Sequence, residues 1–157
     1  MKFGARKIYF LPTLTKTRMA DVHNIETRSF NMSMIKGKNT KPEIMVRKFL
    51  FQNGFRYRLN YSKLPGKPDI VLPKYKTAIF VNGCFWHGHE GCKYFVIPKT
   101  RTEWWLEKIN GTIGRDKKKM SELQKMGWNV KVVWECELKP EKRARTLENL
   151  LVFLRKI

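Results

Sequence analysis

Asn82-Gly83-Cys84-Phe85-Trp86-His87-Gly88-His89-Glu90-Gly91-Cys92 concentrates the unusual chemistry of this chain. It holds two of the three cysteines, two of the three histidines and two adjacent large aromatic rings. A strand-like apolar run, Thr77 to Val81, leads into it, and the third cysteine, Cys136, follows another such run. The arrangement reads as a metal knot that ties two strands together and presents aromatic side chains. A structural zinc site takes four tetrahedral thiolate and imidazole ligands. Cys84, His87, His89, Cys92 and Cys136 offer five, so one side chain is left over, and it should be a histidine. His87 and His89 point the same way if the segment is extended, but need not in a tight turn. The alternative is buried thiols beside polar loop histidines.

Outward from the knot, the pattern predicts an α/β chain with a mixed sheet. Asp21 to Lys36 has a weak helical face (Ile25, Met32, Ile35), and Gly37 to Asn39 breaks it. Thr40 opens a helix to about Asn53 with Gly54 as its stop, and Thr40 with Glu43 fits a capping box. Phe55 to Leu59, Asp69 to Leu72 and Thr77 to Val81 read as a meander of three strands, with a rigid turn made by Pro65, Gly66 and Pro68 after the first. Beyond the knot, Thr102 is expected to cap a short helix, Glu103 to Ile109. Gly111 and Gly114 should loosen the chain before a basic helix, Arg115 to Met126. Trp128 to Trp134 is the last strand. A helix from Pro140 carries Leu147, Leu150, Leu151 and Leu154 as one buried stripe.

At 157 residues and 42% hydrophobic, the chain can build one core. Its 33 Lys+Arg exceed 13 Asp+Glu, a net charge of +20 that favours a polyanionic partner, nucleic acid before membrane. The five tryptophans suit base stacking or wedging as well as core packing. Three cysteines cannot all pair, which argues against a secreted disulfide framework, and no eighteen-residue apolar run suggests a membrane span, so a cytoplasmic protein is expected. Residues 1–18 are basic and read as an extension, with the main domain spanning 19–157.

Scarce carboxylates are informative here. Asp69 opens the apolar strand Ile70-Val71-Leu72 in a basic domain, where it is either a turn cap or a ligand for Mg²⁺ shared with phosphate. With a nearby histidine, the second reading suggests phosphodiester cleavage. Glu43 completes the capping box or supports a metal-bound water; Asp116 serves the helix dipole or orients a histidine.

Together these segments resemble the very-short-patch-repair (Vsr) family of strand-specific DNA mismatch endonucleases, from about Met19 to Leu154. The likeness is carried by Met-Ala-Asp-Val-His at Met19, Leu-Pro-Gly-Lys-Pro-Asp ending at Asp69 and Gly-Cys-Phe-Trp-His ending at His87. Thr-Arg-Thr-Glu at Thr100, Trp-Leu-Glu-Lys-Ile ending at Ile109, Arg115-Asp116 and Val-Trp-Glu-Cys ending at Cys136 continue it. The resemblance implies a restriction-endonuclease-like fold, a structural zinc, and Mg²⁺-dependent nicking of one strand beside a thymine–guanine mismatch. It assigns Asp69, with the Val81 backbone, to Mg²⁺, His87 to catalysis, and Glu43 and Asp116 to supporting the site. Cys84, His89, Cys92 and Cys136 become the zinc ligands. Phe85, Trp86 and Trp105 wedge into double-stranded DNA, and Met19 to Lys36 is an arm gripping the other groove. It further implies a monomer working in the bacterial cytoplasm on DNA. Val81-Asn82 departs from the family's Thr-His, and one extra residue separates His89 from Cys92. Two rivals stand beside this reading: a restriction-type endonuclease acting on unmismatched sites, and a zinc-stabilised DNA-binding module without catalysis.

Overall fold

A period-two alternation in the strands sorts the core onto two faces of one sheet. The computed structural model describes residues 24–34 and 36–157, without the side chains of Ile25, Arg28, Asn31 and Met32. The extension 1–18, residues 19–23 of the expected arm, and the weak face formed by Ile25, Met32 and Ile35 therefore lie outside the described residues. Helix α1 (Ile25–Ser33) starts where Asn24 Oδ1 accepts the Thr27 N–H at 2.7 Å.

Helix α2 (Lys41–Gln52) begins and ends as its sequence requires. Thr40 caps it, and the Thr40–Glu43 capping box closes in both directions. At its end Gly54, with φ +82°, supplies the left-handed turn. Gly54 N–H then reaches Phe51 O, and Phe55 N–H reaches Leu50 O, which satisfies the last carbonyls.

Four strands follow in spatial order: β1 (Arg58–Leu59), β2 (Ile70–Leu72), β3 (Thr77–Asn82) and β4 (Asn129–Trp134). β1–β2 and β2–β3 are antiparallel, and β3–β4 is parallel, so the sheet is mixed. The first strand is shorter than the Phe55–Leu59 pattern predicts, because Phe55 turns into the core instead. Ile70, Leu72, Ile79 and Val133 pack with Val46 and Leu50 of α2 and with Leu147, Leu150 and Leu154 of α4 (Pro140–Arg155). Val71 and Ala78, on the opposite face, pack with Leu64 and with Leu123 of α3 (Thr102–Lys125). Burying each such aliphatic side chain contributes about 1.5–3 kcal/mol. Asp69, two before Val71, shares the α3 face.

Two expectations about α3 are overturned. Glu103–Ile109 and Arg115–Met126 are not two helices; α3 is a single helix of 24 residues running through Gly111 and Gly114. Each glycine costs about 1 kcal/mol against Ala, but burial outweighs it. Ile109, Ile113, Asp116, Met120 and Leu123 lie on one inward stripe at 4-3-4-3 spacing, unbroken across both glycines. Nor does Thr102 cap the helix. Arg101 (φ +53°) holds that position, and Thr102 Oγ1 donates back to the carbonyls of Pro98 and Lys99. Among the described residues no helix is long and apolar enough to cross a membrane.

Candidate active site and metal knot

The parallel register of β3 and β4 explains why distant cysteines meet. Asn82 pairs with Trp134, so Cys84 and Cys136 each stand two residues beyond paired strand ends. The loop after Cys84 then folds back on itself. His87 N–H bonds Gly83 O, His89 N–H bonds Cys84 O at 2.9 Å, and Cys92 N–H bonds His89 O. Gly88, with φ +60°, turns the chain between the two histidines and sends them apart. A Cβ there would also lie 2.5 Å from Ile113 Cδ1 on α3, so that side chain would have to move aside.

His89 goes to the sulfurs. Its ring stacks on Trp134 at 4.0 Å, and Nδ1 lies 3.4 Å from Cys136 Sγ. One ligand atom from each of Cys84, His89, Cys92 and Cys136 falls within 4.8 Å of all the others. A tetrahedron of about 2.3 Å bonds has edges of about 3.8 Å, so this group can hold a metal ion with little adjustment. Burial and the neighbouring sulfurs push the Cys84 thiol up to about 12. Burial also raises Cys136, whereas at Cys92 burial is outweighed by hydrogen bonds from the Tyr94 backbone and the neighbouring cysteines, which lower it. A bound cation would favour the thiolate at all three. All three cysteines are free of disulfides.

His87 goes the other way. Its Nδ1 is 2.7 Å from Asp116 Oδ2, both side chains about 30% exposed. Asp116 comes from the inward stripe of α3, so a carboxylate stands where the pattern calls for an apolar side chain. His87 and Asp116 line a cleft of about 990 Å³ together with Asp69 and Glu43. Asp69 Oδ2 accepts the Val81 N–H at 2.8 Å, while Oδ1 accepts no donor among the described residues. Burial raises the Asp69 pKa, the Val81 N–H pulls it down, Glu43 raises it further, and Arg47 and His87 lower it. A free carboxylate oxygen in an open cleft, beside the Val81 backbone, suits a hard divalent cation, which would favour the ionised form.

Glu43 is nearly saturated within the protein. Its two oxygens accept Asn39 N–H at 3.0 Å, Thr40 N–H at 3.3 Å, Thr40 Oγ1 at 2.8 Å and Arg47 at 2.6 Å. Its capping role is thus fully realised at the wall of the cleft. Sequence reasoning misses Arg47, although it lies four residues after Glu43 on one helix face, a spacing that could have found it. Its guanidinium also donates to Asn39 Oδ1 at 2.6 Å.

Phe85, Trp86 and Trp105 form one cluster with ring centroids 5.2–6.0 Å apart. Trp104, which no motif points to, extends it edge-on at 4.7 Å from Trp105 and is 48% exposed. Lys108 Nζ lies 4.6 Å from the Trp104 ring centre, a cation–π contact at the rim of the cluster.

Comparison with known proteins fixes the family. The profile described as "DNA mismatch endonuclease Vsr" matches residues 20–93. A "Type II nicking enzyme V.NmeAIP" from Neisseria meningitidis serogroup A is 54% identical over 134 residues, covering 85% of this chain and 95% of the relative. This chain belongs to the Vsr family of DNA mismatch endonucleases. The "DNA mismatch endonuclease Vsr" of Escherichia coli K12 is 46% identical over 121 residues, 77% of each chain. A "Type II nicking enzyme V.XorIIP" of Xanthomonas oryzae pv. oryzae is 46% identical over 120 residues, covering 76% of this chain and 88% of the relative. The stretch matched by the Vsr profile includes Glu43, Asp69, His87 and three of the four clustered ligands; Asp116, Cys136 and Trp105 come from the part of the Vsr chain beyond it.

Proposed function

We propose that this chain is a Mg²⁺-dependent endonuclease that nicks one strand of double-stranded DNA beside a thymine–guanine mismatch, in mismatch repair. The observation that carries the reading is the cleft that combines Asp69, with its unengaged oxygen, and the His87–Asp116 pair. The fold we assign is restriction-endonuclease-like, with residues 19–157 as the catalytic domain, 1–18 as a basic extension and the chain acting as a monomer.

Each residue has a role derived from its surroundings. Asp116 accepts the Nδ1 proton of His87, which leaves Nε2 as a lone-pair acceptor. Nε2 takes a proton from the attacking water while the water oxygen bonds to phosphorus. The bond from phosphorus to one sugar oxygen breaks, and that oxygen takes a proton from a solvent water in the cleft. Mg²⁺, held by Asp69 and the Val81 carbonyl, would supply positive charge to the phosphate oxygens when bound. Glu43, locked by Arg47 and its cap, holds one end of the site in place. Cys84, His89, Cys92 and Cys136 would hold Zn²⁺, which would fasten the loop that carries His87, Phe85 and Trp86. Phe85, Trp86 and Trp105 enter a base step, and a mismatch lowers the unstacking cost that they meet. Basic side chains on α3 bind phosphates without reading sequence.

The test uses duplexes labelled on each strand, mismatched and matched, with Mg²⁺ or chelator. The expected product is a single nick in one strand of the mismatched duplex, lost with Asp69→Ala while binding persists. Double-strand cleavage of the matched duplex, or DNA left intact, overturns the proposal.

A further inference from the structure

Two of the four carboxylates that line the cleft, Asp69 and Glu135, have no close cationic partner among the described residues. Arg47 meets Glu43 at 2.6 Å and His87 meets Asp116 at 2.7 Å. Among the described residues Asp69 has no cationic side chain within hydrogen-bond distance, and Glu135, also in the cleft wall, has Lys139 only at 4.0 Å. A phosphodiester brought into this cleft adds a further negative charge. Four lysines line the same wall: Lys36, Lys38, Lys67 and Lys119. Lys119 Nζ is already held by Glu122 at 2.9 Å, and Lys36 and Lys38 stand on the exposed bend before α2.

Lys67 differs in how its backbone is held. It is the last residue of a turn in which Lys67 N–H bonds Leu64 O, and Gly66 (φ +75°) supplies the left-handed corner. The turn therefore needs no second left-handed residue, yet Lys67 itself sits at φ +48°. Side chains with a Cβ rarely adopt this conformation, and of the four cleft lysines only Lys67 does. The turn cannot relax easily. Pro68 beyond it is fully buried, and Gly66 is so close to α3 that a Cβ would lie 3.1 Å from Lys119 Cβ. Lys67 is thus fixed at its root, two residues before Asp69, with its side chain exposed and in no hydrogen bond or ion pair with the described residues.

We infer that Lys67 is a phosphate-binding residue of the cleft, its ammonium meeting a phosphate of the strand that enters beside Asp69. The inference rests on the nuclease reading for the identity of the strand, but its binding arm does not need cleavage.

The experiment measures duplex affinity against salt in chelator for the full chain, alongside single-turnover nicking in Mg²⁺. Lys67→Met should flatten the slope of log affinity on log salt by about 0.9, the value for one phosphate contact. Lys67→Arg should restore the slope. Lys67→Gly, which frees the backbone and cannot be strained at this φ, should lose it as Lys67→Met does. Nicking should fall about tenfold or more with Met and Gly, as for removal of one group that stabilises transition-state charge. An unchanged slope in both Met and Gly variants overturns the inference, whether or not the wild type nicks. So does a Gly variant that keeps the wild-type slope while Met loses it, since the backbone would then be the cause. A wild type that binds with the expected slope change but leaves DNA intact would count against the nuclease reading alone.

Discussion

Replacing Arg47 by Met removes the one cation among the described residues that pairs with Glu43, and keeps most of the apolar stem. The perturbed pair is deeply placed, with side chains 8% and 5% exposed, and the hydrogen bonds removed, to Glu43 and to Asn39, are each 2.6 Å long. Breaking such a pair costs about 3–5 kcal/mol, because one charge stays buried without its partner. Two features pull the value to the lower end. Glu43 keeps Asn39 N–H and both Thr40 donors, and Arg47 Nε has no partner, so its desolvation is relieved. The expected loss is therefore about 3 kcal/mol, a large part of the ~5–15 kcal/mol that holds a domain together. At about 2–4 °C per kcal/mol for a chain of this size, Tm should drop by about 6–12 °C. Adding Glu43→Gln removes the stranded charge while leaving an acceptor for the cap. The double variant should recover at least half of the loss, with a coupling of about 1.5 kcal/mol or more in the cycle. Circular dichroism melts of the four proteins, held at one pH and salt, give the answer. If Arg47→Met melts within about 1 °C of wild type, or if the two losses simply add, Arg47 does not lock Glu43.

If the knot holds zinc as proposed, stripping it with a strong chelator should lower Tm by more than about 10 °C and make all three cysteines reactive to a thiol reagent, because metal binding there would be folding free energy. Unchanged melting and protected thiols would refute that. Gly88→Ala should cost about 2–4 kcal/mol, from the left-handed backbone plus the clash with Ile113. Trimming Ile113 to Ala should return only the clash part, as read by denaturant midpoints. Asp69 has a folded pKa raised above its ordinary 3.8, chiefly by burial. Its ionisation therefore opposes folding at neutral pH, and the opposition vanishes as pH falls to that ordinary value. Asp69→Asn should accordingly raise the Tm of the Mg²⁺-free protein at about pH 7.5, with the gap closing toward about pH 4, while nicking is lost. A variant less stable than wild type at the higher pH contradicts the sign.

Much of this is legible in residues. The capping box at Thr40 and Glu43, the leucine stripe of α4 and the alternation in β2 and β3 are local patterns, and local patterns survive folding. The ligand group is legible because thiolate and imidazole side chains are scarce and clustered. Which histidine joins the sulfurs stays open at that level, since it turns on the φ of Gly88, a backbone choice that the sequence allows without requiring. The break expected at Gly111 and Gly114 fails for a different reason. Propensity acts residue by residue, whereas the inward stripe through Ile109, Ile113, Asp116, Met120 and Leu123 spans both glycines and decides the matter by burial. Arg47, Trp104 and Lys67 do not stand out because a basic or aromatic residue is commonplace in this chain. Only a partner, an exposure or a backbone angle sets each one apart.

The shared strand register has a consequence for how the chain is made. Cys84, His89 and Cys92 emerge from the ribosome together, but the last sulfur arrives only after α3 and β4 have followed them. A nascent or truncated polypeptide ending before Cys136 leaves the loop bearing His87 unfastened, with Asp116 not yet docked if synthesis stops earlier still. With His87 and Asp116 in their proposed roles, incomplete copies would lack a working cleft and could not nick DNA.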